Sequence, residues 1–119
     1  MATVTLTTHS FAETVQGNDI VLVDWWASWC GPCRMFAPVF DKASAANPDI
    51  VFGKVDTEAE PELAAGARIT SIPTIMAFRA GVLVFAQPGA LPAGALNDLI
   101  SQVRALDMDD VRKRLEGVA

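Results

Sequence analysis

The chain has 119 residues, 51% of them hydrophobic, enough to bury one core and too few for two ordinary domains. Its 14 acidic against 9 basic residues leave a net charge of −5, with no basic block to follow a phosphate backbone, so nucleic acid is not an expected partner. Met1–Ser10 has neither a basic start nor an apolar stretch of secretory length, and Ile20–Val23 is far below spanning length. A cytoplasmic protein without membrane attachment is therefore expected.

Thr3–Thr7 is β-branched and apolar enough for a short strand, and Ser10 with Glu13 has the spacing of a capping box for a short helix that Gly17-Asn18 ends. Ile20–Trp26 carries apolar residues on both faces, the pattern of a central parallel strand covered by helices, with Asp24 as the exception. Gly31–Ala46 reads as a helix with Phe36, Phe40 and Ala43 on one face, closed by Asn47-Pro48. Pro38 cannot donate to Arg34 and should kink it.

Ile50–Val55 forms a third strand, and Glu58–Ala65 a short helix stopped by Gly66. Thr74–Phe78 and Val82–Ala86 flank a turn at Arg79-Ala80-Gly81 and read as an antiparallel hairpin. A helix starting near Pro92 places Leu96, Leu99, Ile100 and Val103 on one core-facing stripe. Asp107 is placed to cap a last helix with Met108, Val111, Leu115 and Val118 on one face, acids early and bases later. This order implies an α/β domain: a mixed central sheet flanked by helices on both faces, with the hairpin at one side.

Two cysteines three positions apart would close too small a loop to staple the fold, and in a reducing compartment a close pair of this kind is more often catalytic or metal-binding than structural. The segment Asp24-Trp25-Trp26-Ala27-Ser28-Trp29-Cys30-Gly31-Pro32-Cys33 runs from a buried strand into a helix, putting Cys30 at the helix N-terminus. Unpaired N–H groups and the positive dipole end there favour a thiolate by roughly 0.3–1 kcal/mol, or up to ~2 when partly buried. One pKa unit is about 1.36 kcal/mol, so a favour of this size is expected to lower the thiol's pKa. Cys33, one turn onward and expected to be the more buried, can attack a mixed disulfide formed at Cys30. Cys30 is thus read as the nucleophile and Cys33 as the resolving thiol, while Gly31 and the stiff Pro32 between them tune the couple.

A closed zinc site needs four ligands, and His9 is the only histidine. Two buried apolar cysteines, or a metal or cluster shared across a dimer, are the other readings of the pair. The dimeric reading predicts visible absorbance or stoichiometric metal in purified protein.

Trp29-Cys30-Gly31-Pro32-Cys33 resembles the active-site motif of the thioredoxin family, and the likeness extends over roughly residues 3 to 104. Asp24, Pro38, Lys54, Ser71-Ile72-Pro73-Thr74 and Gly89 support it at independent places. The resemblance implies a thioredoxin fold over residues 1–106, with 107–119 as a C-terminal helical extension. It implies that Asp24 is a buried carboxylate exchanging the proton of Cys33, its pKa raised by desolvation and drawn back by Lys54. It makes Pro73 a cis-proline facing the cysteines, with Ile72 offering backbone groups to an extended substrate. Trp29, Gly31, Pro32, Ile72, Pro73, Gly89 and Ala90 would form a flat apolar rim around Cys30. It further implies a monomeric protein-disulfide reductase with no bound cofactor, acting on diverse disulfide proteins and recycled by an NADPH-dependent thioredoxin reductase. Gly-Pro between the cysteines resembles reducing members, which leaves an oxidant or isomerase as a weaker alternative. A binding module with incidental thiols is a third reading. Trp25, in a place usually held by phenylalanine, and Pro88, where a β-branched residue is frequent, depart from the common pattern.

Overall fold

The computed structural model describes residues 2–118, the side chain of Val118 and all of Ala119 lying outside the description. Five strands form one mixed sheet in the order β1-β3-β2-β4-β5: β1 Thr3–Thr5, β2 Ile20–Trp26, β3 Val51–Asp56, β4 Thr74–Arg79 and β5 Val82–Pro88. The three N-terminal strands run parallel, β4 runs antiparallel to β2, and β5 completes a hairpin at the edge. Ala80 and Gly81 both take positive φ (52° and 80°) in the two-residue turn between β4 and β5, the geometry that matches the strands' twist.

Because side chains alternate along a strand, the central β2 feeds two cores. Ile20 and Leu22 join Phe36, Phe40, Phe52, Ile75, Leu96 and Ile100 beneath α2 (Gly31–Ala46) and α4 (Ala93–Arg104). Val21, Val23 and Trp25 pack on the other face with Val15 of α1 (Phe11–Gly17) and Ala64 of α3 (Pro61–Gly66). Phe40 touches both Phe36 and Phe52, at ring-centroid distances of 5.6 and 5.2 Å. Removing the Phe40 ring should cost about 3–5 kcal/mol, read as a lowered urea midpoint.

Three local expectations change. Ser10 precedes α1, but its backbone is near-helical and its Oγ accepts from Thr7 N at 2.9 Å, so no capping box forms. The acidic segment starts as a turn: Thr57 N and Oγ1 both donate to Trp26 O (2.8 and 3.0 Å), and the helix begins only at Pro61. Helix α2 runs unbroken through Pro38.

Arg79 closes the far end of the domain. Its Nη1 donates to the carbonyls of Val103 (2.7 Å), Arg104 (3.3 Å) and Leu106 (3.4 Å), while Nε pairs with Asp19 at 3.1 Å. The last turn of α4 thereby finds partners for carbonyls its own helix leaves open. Beyond it, Asp107 Oδ1 accepts from Asp109 N and Asp110 N (3.0 and 3.2 Å) and starts α5 (Met108–Val118). The bases of α5 sit mid-helix, with none in its last turn. Met108 and Val111 are half-buried, but Leu115 is 53% exposed, so the apolar stripe is only partly covered.

Candidate active site

The loop Ala27–Trp29 leaves the carboxyl end of β2 and turns into α2, and Cys30 is the N-cap of that helix. Cys30 and Cys33 form a disulfide with their Cα atoms 5.2 Å apart. Cys33 N donates to Cys30 Sγ at 3.2 Å, so a helix-start N–H that lacks an intrahelical partner points at the sulfur. On a thiolate the same contact becomes a charge-assisted hydrogen bond, about twice as strong as a neutral one. Both sulfur-bearing residues are nearly enclosed, Cys30 4% and Cys33 3% exposed, so burial hardly separates them. Direction separates them instead: Cys30 Sγ lies 3.7 Å from the Ile72 carbonyl oxygen, whereas Cys33 shares the sheet-facing side of α2 with Phe36 and Phe40.

Asp24 is fully buried, and neither carboxylate oxygen has a hydrogen-bond partner. It stands on the α2-facing side of β2, two residues beyond Leu22 and paired in register with Lys54 of β3 and Ile75 of β4. Loss of water raises its pKa from 3.8 to about 7, with Lys54 pulling down and Asp41 of α2 pushing up. Lys54 makes no ion pair with it within 4 Å; its Nζ lies over the Trp26 ring, 5.1 Å from the centroid. A carboxyl half-ionised near neutrality can both take and return a proton.

The Ile72–Pro73 bond is cis, and Ile72 packs against the cysteine pair. Pro73 itself is fully buried, so its ring supports the rim from beneath. Its carbonyl accepts from Gly89 N at 2.7 Å, joining the proline loop to the end of β5. Trp29 is 65% exposed, and Pro32, Gly89 and Ala90 are also open, with Gly31 and Ile72 half-buried. Gly89 has φ +105°, where a side chain strains the backbone although nothing lies within 4 Å of where a Cβ would stand. Gly89→Ala should therefore destabilise by about 1–3 kcal/mol through backbone conformation alone, measurable by urea unfolding.

Two polar residues at this surface escaped the reading of the sequence. Trp29 Nε1 donates to Glu58 Oε1 at 2.7 Å, and Glu58 N is in turn held by Asp56 Oδ1 at 2.9 Å. Arg34 Nη1 reaches back to Ser28 O at 3.3 Å, bringing a positive charge to the first turn of α2. The available signal for Glu58 was its place just past the carboxyl end of a parallel strand, where α/β sheets put their sites. Among the described residues, no three His, Cys, Asp or Glu side chains group as metal ligands.

A reversible cysteine pair on a helix start, above a buried carboxyl and beside a loop that exposes backbone, defines a thiol–disulfide oxidoreductase on an α/β scaffold. The family model Thioredoxin matches residues 2–102, and the chain belongs to the thioredoxin family. It is 62% identical over 112 residues to "Putative thioredoxin 2" of Streptomyces coelicolor, spanning 94% of this chain and 84% of that one. With a thioredoxin of Mycobacterium tuberculosis it shares 40% over 104 residues, 86% of this chain and 90% of the other. Among solved structures, a mutant thioredoxin from Halobacterium salinarum superposes with a TM-score of 0.80 at 30% identity, covering 88% of this chain and 92% of that one. The Plasmodium falciparum thioredoxin gives 0.77 at 33%, covering 84% and 97%.

Proposed function

We propose that the protein is a general protein-disulfide reductase. The Cys30 thiolate attacks one sulfur of a target disulfide, forming a mixed disulfide and releasing the other sulfur as a thiolate that takes up a proton. Cys33, deprotonated with help from Asp24, then attacks Cys30 Sγ, expels the second target thiol and leaves the Cys30–Cys33 disulfide. Two electrons pass to the target, and this chain ends oxidised. The extended target pairs with the backbone of Ile72, and Trp29, Pro32, Gly89 and Ala90 supply an apolar rim indifferent to sequence. Lys54 tempers the Asp24 carboxyl, while Gly31 and Pro32 set the poise of the pair. A flavoprotein thioredoxin reductase drawing on NADPH returns the disulfide to the dithiol, and the chain acts as a monomer of the cytoplasm. Residues 1–106 form the catalytic domain and 107–119 an appended helix.

The observation carrying this reading is the Cys33 N–H aimed at Cys30 Sγ at the start of α2. Its test is reduction of a disulfide protein in the presence of a small dithiol, where the protein should accelerate turnover; no acceleration rejects it. Equilibration with glutathione sets the direction: a reducing couple stays oxidised until reduced glutathione greatly exceeds the oxidised form. NADPH consumption with a thioredoxin reductase tests the recycling step separately.

A further inference from the structure

Between the end of α3 and the β4–β5 hairpin lies a surface cavity of about 250 Å³, lined among others by Arg68, Ser71, Met76, Leu83 and Pro88. Arg68 is the one charged residue on its wall. The cavity adjoins the candidate active site at two places: Ser71 directly precedes Ile72, and Pro88 directly precedes Gly89, whose N–H bonds the Pro73 carbonyl. A chain laid along Ile72 therefore has this cavity beside it, next to Ser71 and Pro88.

Arg68 is conspicuous on the backbone as well. Its φ is +59°, a left-handed conformation that costs a side-chain-bearing residue free energy and that glycine adopts freely. The turn does not call for its side chain: main-chain bonds from Arg68 N to Ala65 O and from Ile69 N to Ala64 O, both 3.0 Å, close the end of α3. Arg68 is exposed and takes part in none of the ion pairs among the described residues, in a chain whose net charge is −5. An unpaired guanidinium presents a planar fork of donors that fits a carboxylate, and Met76 and the exposed Leu83 add apolar wall beside it.

We propose that Arg68 and this cavity form a substrate subsite that favours target proteins carrying an acidic residue within a few positions of the disulfide. This rests on the reading that Ile72 receives the substrate chain, and it adds a sequence preference to an otherwise permissive rim.

The test uses two disulfide-bridged peptides that differ only in an aspartate or a lysine flanking the reactive cysteine, with a small neutral disulfide alongside. The protein should reduce the aspartate peptide with kcat/KM about threefold higher, through KM, as an exposed ion pair allows. The difference should fade at about 0.5 M salt. Arg68→Gly should abolish the aspartate-to-lysine ratio, read within the variant, without lowering its unfolding midpoint, and Arg68→Glu should invert the ratio. Equal turnover of both peptides by the native protein, or an undiminished ratio in Arg68→Gly, overturns the subsite while leaving the reductase reading intact. Failure to reduce even the small disulfide overturns the reductase reading, and the subsite with it.

Discussion

Cys30→Ser should lower disulfide reduction by about a thousandfold or more, to the background of the assay, because it removes the group that makes the first covalent bond. Cys33→Ser should abolish turnover equally but fail at a different point: the first attack proceeds, the mixed disulfide has no resolving thiol, and the target stays attached. Mass spectrometry of the two variants after exposure to a disulfide protein separates them. A stoichiometric adduct is expected on Cys33→Ser and none on Cys30→Ser. The opposite pattern would exchange the two roles, despite Cys30 being the sulfur that faces the Ile72 carbonyl.

Asp24→Ala should have two large effects of opposite benefit. The carboxyl titrates at about 7 in the folded chain against 3.8 ordinarily. Below about pH 4 it is protonated whether the chain is folded or not. As pH climbs from about 4 to about 7, the unfolded chain releases the proton while the folded one keeps it, so stability falls across that window and levels off above it. A shift of about three units corresponds to ~4 kcal/mol at the alkaline end. Alanine removes this slope at the cost of a small void, leaving the variant more stable by about 1–3 kcal/mol at pH 8 and by little near pH 4. Urea unfolding at several pH values reads the difference, and parallel stability curves for the two proteins would show that the Asp24 carboxyl titrates alike in the folded and the unfolded chain. Kinetically, resolution should slow by about a hundredfold at pH 7, with first attack less affected, as expected when an internal base is lost. Rapid mixing with a chromophoric disulfide resolves the two steps.

Much of this was legible in the residues. Ile20–Trp26 and Gly31–Ala46 stand where the apolar pattern put them, because a strand covered on both faces and a helix packed on one write their burial into sequence spacing. Leu96, Leu99, Ile100 and Val103 are all buried, as their stripe required. Short polar signals travelled less well. Ser10 and Glu13 had the spacing of a capping box, but spacing does not say which N–H an oxygen meets, and Thr7 took the serine. Glu58 was read as helix because its acidic neighbourhood suits one, whereas Thr57 is tied across to β2 and holds that stretch as a turn. The Trp29–Glu58 bond joins residues 29 apart in sequence, and no local pattern encodes it. Likewise, Arg68 gains its interest only from a backbone angle and a neighbouring hollow, neither of which composition reveals.

The clasp that Arg79 makes on the closing carbonyls of α4 sits against Asp19, at the amino end of the same central strand whose carboxyl end delivers the cysteines. That strand of seven residues is about 20 Å long. The appended helix therefore departs from the pole opposite the chemistry. Whatever grips the start of this tail does so about the length of the central strand away from the redox mouth.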